Sequence, residues 1–105
     1  MEINNITNNQ FKTQVRIFNN FFYNVFNYSP NQIFIESLLS SAPLEFFTEN
    51  RFDSAINIIN YLKNCEIQNI KSICDKQTNL YKEALNTTSL ETAYRFLKNL
   101  AIEDI

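Results

Sequence analysis

Few side chains in this sequence can carry chemistry. It contains no His, no Gly and no Trp among 105 residues. Without His there is no Ser-His-Asp or Cys-His relay, and catalytic zinc sites lose their usual ligand. Without Gly there is no phosphate cradle of the Walker or Rossmann type, no EF-hand calcium loop and no Gly-bearing hairpin turn. The candidate nucleophiles are Cys65 and Cys74. On a continuous helix the nine steps between them, at about 100° each, place them on opposite faces, which excludes a shared metal or a disulfide within it. Cys74 falls on an apolar arc and reads as a small core residue, whereas Cys65 falls on the polar side with no helix start to lower its pKa. Both are expected as free thiols in a reducing cytoplasm. Carboxylates pair as Glu45 with Glu49, one helical turn apart, and as Glu103 beside Asp104. General acid-base work needs burial and a second functional group, and all of these read as solvated. The expectation is a non-enzymatic protein with no catalytic residue, no cofactor and no metal site.

What stands out instead is an aromatic face. Projected at about 100° per residue, the stretch from about residue 10 to 28 gathers its apolar side chains on one half of a helix, interrupted there only by Gln14. Phe11, Val15, Phe18, Phe21, Phe22, Val25 and Phe26 form the candidate interaction face. The strip is about 180° wide, more than the narrow seam of a two-stranded coiled coil. The same residues would also make a good core stripe for a helical bundle, and the pattern alone allows both. Burying each Phe contributes about 1.5–3 kcal/mol in either case. The opposite half offers only Lys12 and Arg16 among asparagines, whereas a membrane-surface helix carries many basic residues. A neutral hydrophobic surface or a protein groove suits that face better than an anionic bilayer.

The elements that must position this face read as helices. With 45% hydrophobic and 19% charged residues the chain is that of one folded domain, 1–105. Ser29-Pro30-Asn31-Gln32 has the form of a capping box, as does Thr88-Ser89-Leu90-Glu91. Asn8 or Asn9 can cap the first helix, and Pro30 and Pro43 fit first turns. Four helices are expected, at about 10–28, 30–41, 50–85 and 89–102. Leu44-Glu45-Phe46-Phe47 is an apolar knot, either a helical turn at a bend or part of the next helix. The third helix keeps its phase through Phe52, Ile59, Ile70 and Leu80. It would be about 54 Å long, against a radius of gyration of about 13 Å for a compact chain of this size. It therefore either bends near Lys63-Asn64-Cys65-Glu66 or belongs to an elongated molecule whose stripe a partner covers. The fold class is all-α, as a helical bundle or an elongated coiled-coil-like homo-oligomer. Nine basic and eleven acidic residues give a net charge of −2. The basic ones are scattered, so no stripe for nucleic acid is expected. Neither a secretory signal nor a transmembrane segment is expected.

The order of parts resembles a family. The apolar knot leads into a long amphipathic helix ending Gln77-Thr78-Asn79-Leu80-Tyr81-Lys82-Glu83-Ala84-Leu85. A polar break, Asn86-Thr87-Thr88, then precedes Ser89-Leu90-Glu91-Thr92-Ala93 and a last helix. Over roughly residues 44–101 this resembles the phasins, helical proteins that coat polyhydroxyalkanoate granules. Phasins are Ala- and Gln-rich, while this chain is rich in Ile, Asn and Phe. The resemblance implies binding to a hydrophobic granule surface, self-association and no catalytic site. The alternative is a small module that occludes a partner protein, such as a phage- or plasmid-encoded inhibitor or a bacterial effector.

Overall fold

The structure is a computed structural model that describes Thr7 and residues 9–100. Four α-helices follow in order: α1 (Gln10–Phe26), α2 (Gln32–Ser40), α3 (Arg51–Asn64) and α4 (Leu90–Asn99). Single 3-10 turns stand at Leu44–Phe46, Ile67–Asn69 and Leu80–Lys82. The apolar knot is thus a turn at a bend, entered through Pro43. Asn8, residues 101 and 102 of the expected last helix, and the Glu103-Asp104 pair lie outside the described residues.

Each helix starts where a polar side chain accepts from the first-turn amides that have no partner inside the helix. Ahead of α1, Thr7 Oγ1 accepts from the Phe11 N–H at 3.1 Å. Asn31 Oδ1 accepts from the Phe34 N–H at 3.1 Å, so α2 is capped by Asn31 and not by Ser29. Asn50 Oδ1 accepts from the N–H groups of Phe52 and Asp53 at 2.8 and 3.0 Å and opens α3. Ser89 Oγ accepts from the Thr92 N–H at 3.1 Å, which is the start expected for the last helix. α1 stops at Phe26, short of Tyr28, because Asn27 takes a left-handed conformation with φ 62°. Asn is the residue that tolerates this position when Gly is absent.

The helix expected over 50–85 is not formed. α3 ends at Asn64 after 14 residues, and Cys65 is extended. The Asn64 Nδ2 group donates to Asn60 O at 2.8 Å, and the Cys65 thiol donates to Leu62 O at 3.4 Å. Both satisfy last-turn carbonyls that a continuing helix would have claimed. Beyond Cys65, short polar side chains hold local turns instead of a helix. Asp75 Oδ1 accepts from the Gln77 and Thr78 N–H groups, each at 2.9 Å. Asn79 Oδ1 accepts from the Tyr81 N–H, and Asn86 Oδ1 accepts from the Thr88 N–H. The loop closes on itself through an isolated antiparallel bridge between Lys71 and Asn79. Within it the Ser72 N–H donates to Thr78 O, and the Leu80 N–H donates to Ile70 O, both at 2.8 Å. Ile67, Ile70 and Leu80 still reach the core, so spacing that reads as a helical stripe is here a set of anchors along a folded loop. Cys65 and Cys74 therefore do not lie on opposite faces of one helix; both are free thiols in the structure.

The radius of gyration is 12.7 Å, which is that of a compact bundle and not of an elongated rod. The core centres on Phe22, whose ring lies 4.5 Å from Phe26, 5.3 Å from Phe96 and 6.1 Å from Phe34. The loop is tied to α2 where Ser37, itself fully enclosed, accepts from the Ile73 N–H at 2.9 Å, and where Asn31 Nδ2 donates to Leu85 O at 3.1 Å. No described helix is long and apolar enough to cross a membrane.

Candidate functional site

The aromatic face of α1 divides into two groups. Phe11, Phe18 and Phe22 are core residues, the last only 1% exposed. Val15, Phe21 and Phe26 pack partly buried against that core, and Val25 is half-buried. Gln14, which interrupts the strip, is also fully enclosed. Its Nε2 donates to Arg51 O at 2.9 Å and ties α1 to the start of α3. So the wide strip is explained mostly by packing: α1 meets α2, α3 and α4, and three neighbours need more than one narrow seam. Its partly exposed margin ends in an aromatic step, with the Phe26 and Tyr28 rings 5.9 Å apart and the Arg95 guanidinium 5.3 Å from the Phe26 centroid.

Beside that margin a hollow of about 480 Å³ is lined by Phe21, Asn24, Val25, Asn99 and Leu100; a larger group of hollows lies at the C-terminal end of α3. Three hollows converge there and share Cys65. The first, of about 430 Å³, runs along α3 between Phe46 and the amides of Asn57, Asn60 and Asn64. The second, of about 470 Å³, lies between the end of α2 and the loop, with Ser41, Ile70, Lys71 and Lys76 on its walls. The third, of about 310 Å³, separates α3 from α4 and is lined by Leu62, Lys63, Ile67, Tyr94, Leu97 and Lys98. Tyr61 divides the first from the second. Its hydroxyl donates to Ser41 O at 2.8 Å, and its ring meets Phe46 edge-on at 6.1 Å. Tyr94, half exposed, is fixed by donating to Gln68 Oε1 at 3.2 Å. The early end of α3 creates this surface, because the chain leaves the helix axis at Cys65 and opens a gap on each side. The bend expected near Lys63-Asn64-Cys65-Glu66 marks this place in the sequence, but the hollows themselves follow only from the helix ending there.

The charges around these hollows differ from those of the chain. Lys63, Lys71, Lys76 and Lys98 line them, with Glu66 as the one acid, in a protein carrying eleven acidic and nine basic residues. The C-terminal ends of α2 and α3 border the second hollow, and the negative ends of their helix dipoles favour cations nearby. Asp75 stands in sequence beside Lys76, but its carboxylate serves its own turn. The Thr78 hydroxyl and the Gln77 and Thr78 N–H groups hold its pKa down at about 2.

No family model, curated protein or solved structure matches the chain. Nothing in these comparisons ties it to the phasins.

Two ionisable groups near the hollows, Cys65 and Tyr81, are held away from ionisation. Burial raises the Cys65 pKa against a smaller opposing backbone hydrogen bond, so it is a neutral thiol at pH 7. The Tyr81 phenol is also pushed up, chiefly by burial and further by its proximity to Cys65 and Tyr94. Among the described residues its hydroxyl has no hydrogen-bond partner. Cys74 is exposed on the loop, not in the core position expected of it. Glu45 and Glu49 are both exposed and lie on opposite sides of an extended Phe47, so the one-turn spacing does not pair them on a helix. No group of His, Cys, Asp or Glu among the described residues is arranged to hold a metal ion.

Proposed function

We propose that the protein is a non-enzymatic interaction module that engages a partner protein at the C-terminal end of α3. The observation that carries this reading is the convergence of three hollows on one point, bordered by Phe46, Tyr61 and Tyr94. Concave, partly apolar surfaces with fixed aromatic side chains accept the anchor residues of a partner. A thiol and a phenol that are both pushed away from ionisation support binding over nucleophilic chemistry. The second reading is a phasin-like coat on a hydrophobic granule. Its support is the partly exposed margin of α1, formed by Val15, Phe21, Val25 and Phe26. That margin is smaller than the full strip, because Phe11, Phe18 and Phe22 are enclosed.

Asn60 and Asn69 are exposed on the rims of two hollows, so Asn60→Trp and Asn69→Trp obstruct them without entering the core. Affinity capture with the wild-type chain is expected to retain a stoichiometric partner that both variants lose at an unchanged melting temperature. Capture unaffected by either variant contradicts the assignment. Adsorption of the purified chain to neutral polyester particles, abolished by Phe21→Asp, supports the granule coat instead.

A further inference from the structure

We infer that the partner presents an acidic segment with a large apolar side chain, the apolar group entering a hollow beside Cys65 and its flanking carboxylates meeting the surrounding lysines. This rests on the interaction reading and adds the chemistry of the ligand. Four of the nine basic residues of the chain line the hollows, against one of its eleven acids. The four lysines come from separate places: Lys63 from the last turn of α3, Lys71 and Lys76 from the loop, and Lys98 from the last turn of α4. All four are exposed, so an approaching ligand meets their ammonium groups first. Local charge opposite in sign to that of the whole chain steers an acidic ligand to this end and repels it from the rest.

The interior of the hollows selects the rest of the ligand. Leu62, Ile67 and Leu97 line the third hollow, which is therefore an apolar seat between two lysines, Lys63 and Lys98. In the second hollow the carbonyl ends of α2 and α3 repel an anion that goes deep. A phosphate or a nucleic-acid backbone thus finds favourable charge only at the rim. A carboxylate on a flexible side chain can stay at the rim while a neighbouring apolar side chain goes in. The basic groups ring a cluster of hollows and form no extended stripe, which favours a short protein segment over a nucleic acid.

The test is selection of short random peptides on the immobilised full chain. Selected peptides are then measured against wild type, Lys63→Glu/Lys98→Glu, Asn60→Trp/Asn69→Trp, and a control, Lys82→Glu, whose position is exposed but lines none of these three hollows. Unchanged melting temperatures establish that the variants fold. The expected result is enrichment of Asp or Glu beside Phe, Leu or Tyr. Affinity should fall at least about tenfold in the Lys63→Glu/Lys98→Glu variant and on raising salt from about 50 to about 300 mM, with no loss in Lys82→Glu. Enrichment without acidic residues, with affinity lost only in the Trp variant, overturns the acidic ligand and leaves the interaction surface standing. No enrichment, or binding indifferent to every variant, overturns both. Tighter binding of a fluorescent single-stranded oligonucleotide than of any selected peptide, weakened by the same lysine changes, overturns the protein partner.

Discussion

Replacing Phe22 by Ala separates the two roles open to the aromatic face of α1. The side chain is 1% exposed and its ring meets Phe26, Tyr28, Phe34 and Phe96 at centroid distances of 4.5 to 6.1 Å. Truncating an enclosed Phe costs about 3–5 kcal/mol through lost transfer energy and the cavity left behind. That range already includes the lost ring contacts, so a loss of about 4 kcal/mol is expected. A domain of this size has only about 5–15 kcal/mol in total. With a urea slope of about 2 kcal/mol per molar, the unfolding midpoint should fall by about 2 M. The next residue, Tyr23, is 52% exposed, and Tyr23→Ala should stay within about 0.5 kcal/mol. Urea unfolding followed by far-UV circular dichroism measures both. A Phe22→Ala cost below about 1 kcal/mol, or an equal cost for Tyr23→Ala, refutes the assignment of this face to the core.

Three further outcomes follow from the loop beyond α3. Ser37→Ala removes the acceptor of the Ile73 N–H and should cost about 1–3 kcal/mol; hydrogen exchange should be faster at Ile73 than in wild type, and unchanged exchange contradicts the contact. Alkylation under native conditions should modify exposed Cys74 before Cys65, whose thiol is half-buried and raised in pKa; peptide mass mapping that finds Cys65 modified first contradicts this. Thr78→Ala should move the Asp75 pKa from about 2 toward its ordinary value of 3.8 in an NMR titration. Since the folded pKa is the lower one, the contribution of Asp75 to stability is present above about pH 4 and lost as pH falls toward 2. An Asp75 pKa unchanged by Thr78→Ala refutes the hydrogen-bond account.

The helical elements were legible where periodicity and caps agreed. The start of α1 at Gln10 and the Ser89 cap of α4 follow from the pattern. At α2 the Ser29 capping box competed with Asn31, and Asn31 lies where an extended residue can present its side chain to Phe34. The segment after Asn64 misled for a definite reason. Ile67, Ile70 and Ile73 recur every three residues, which suits a helix stripe and equally suits a loop pinned to a core. The opposing signal was the density of Asn, Asp, Ser and Thr from 64 to 89, whose side chains stabilise turns. The lysine ring was illegible because Lys63, Lys71, Lys76 and Lys98 look interleaved along the chain and meet only once α3 has ended. The aromatic face was visible, but its division between core and margin depends on how many neighbours surround α1.

The assignment of binding to the end of α3 is tested most directly by amide chemical shifts of isotope-labelled chain titrated with the best selected peptide. The largest shifts are expected to cluster at Cys65, Glu66, Asn69, Lys71 and Lys98. Shifts concentrated on α1 from Phe21 to Phe26, with the end of α3 unmoved, would contradict that assignment.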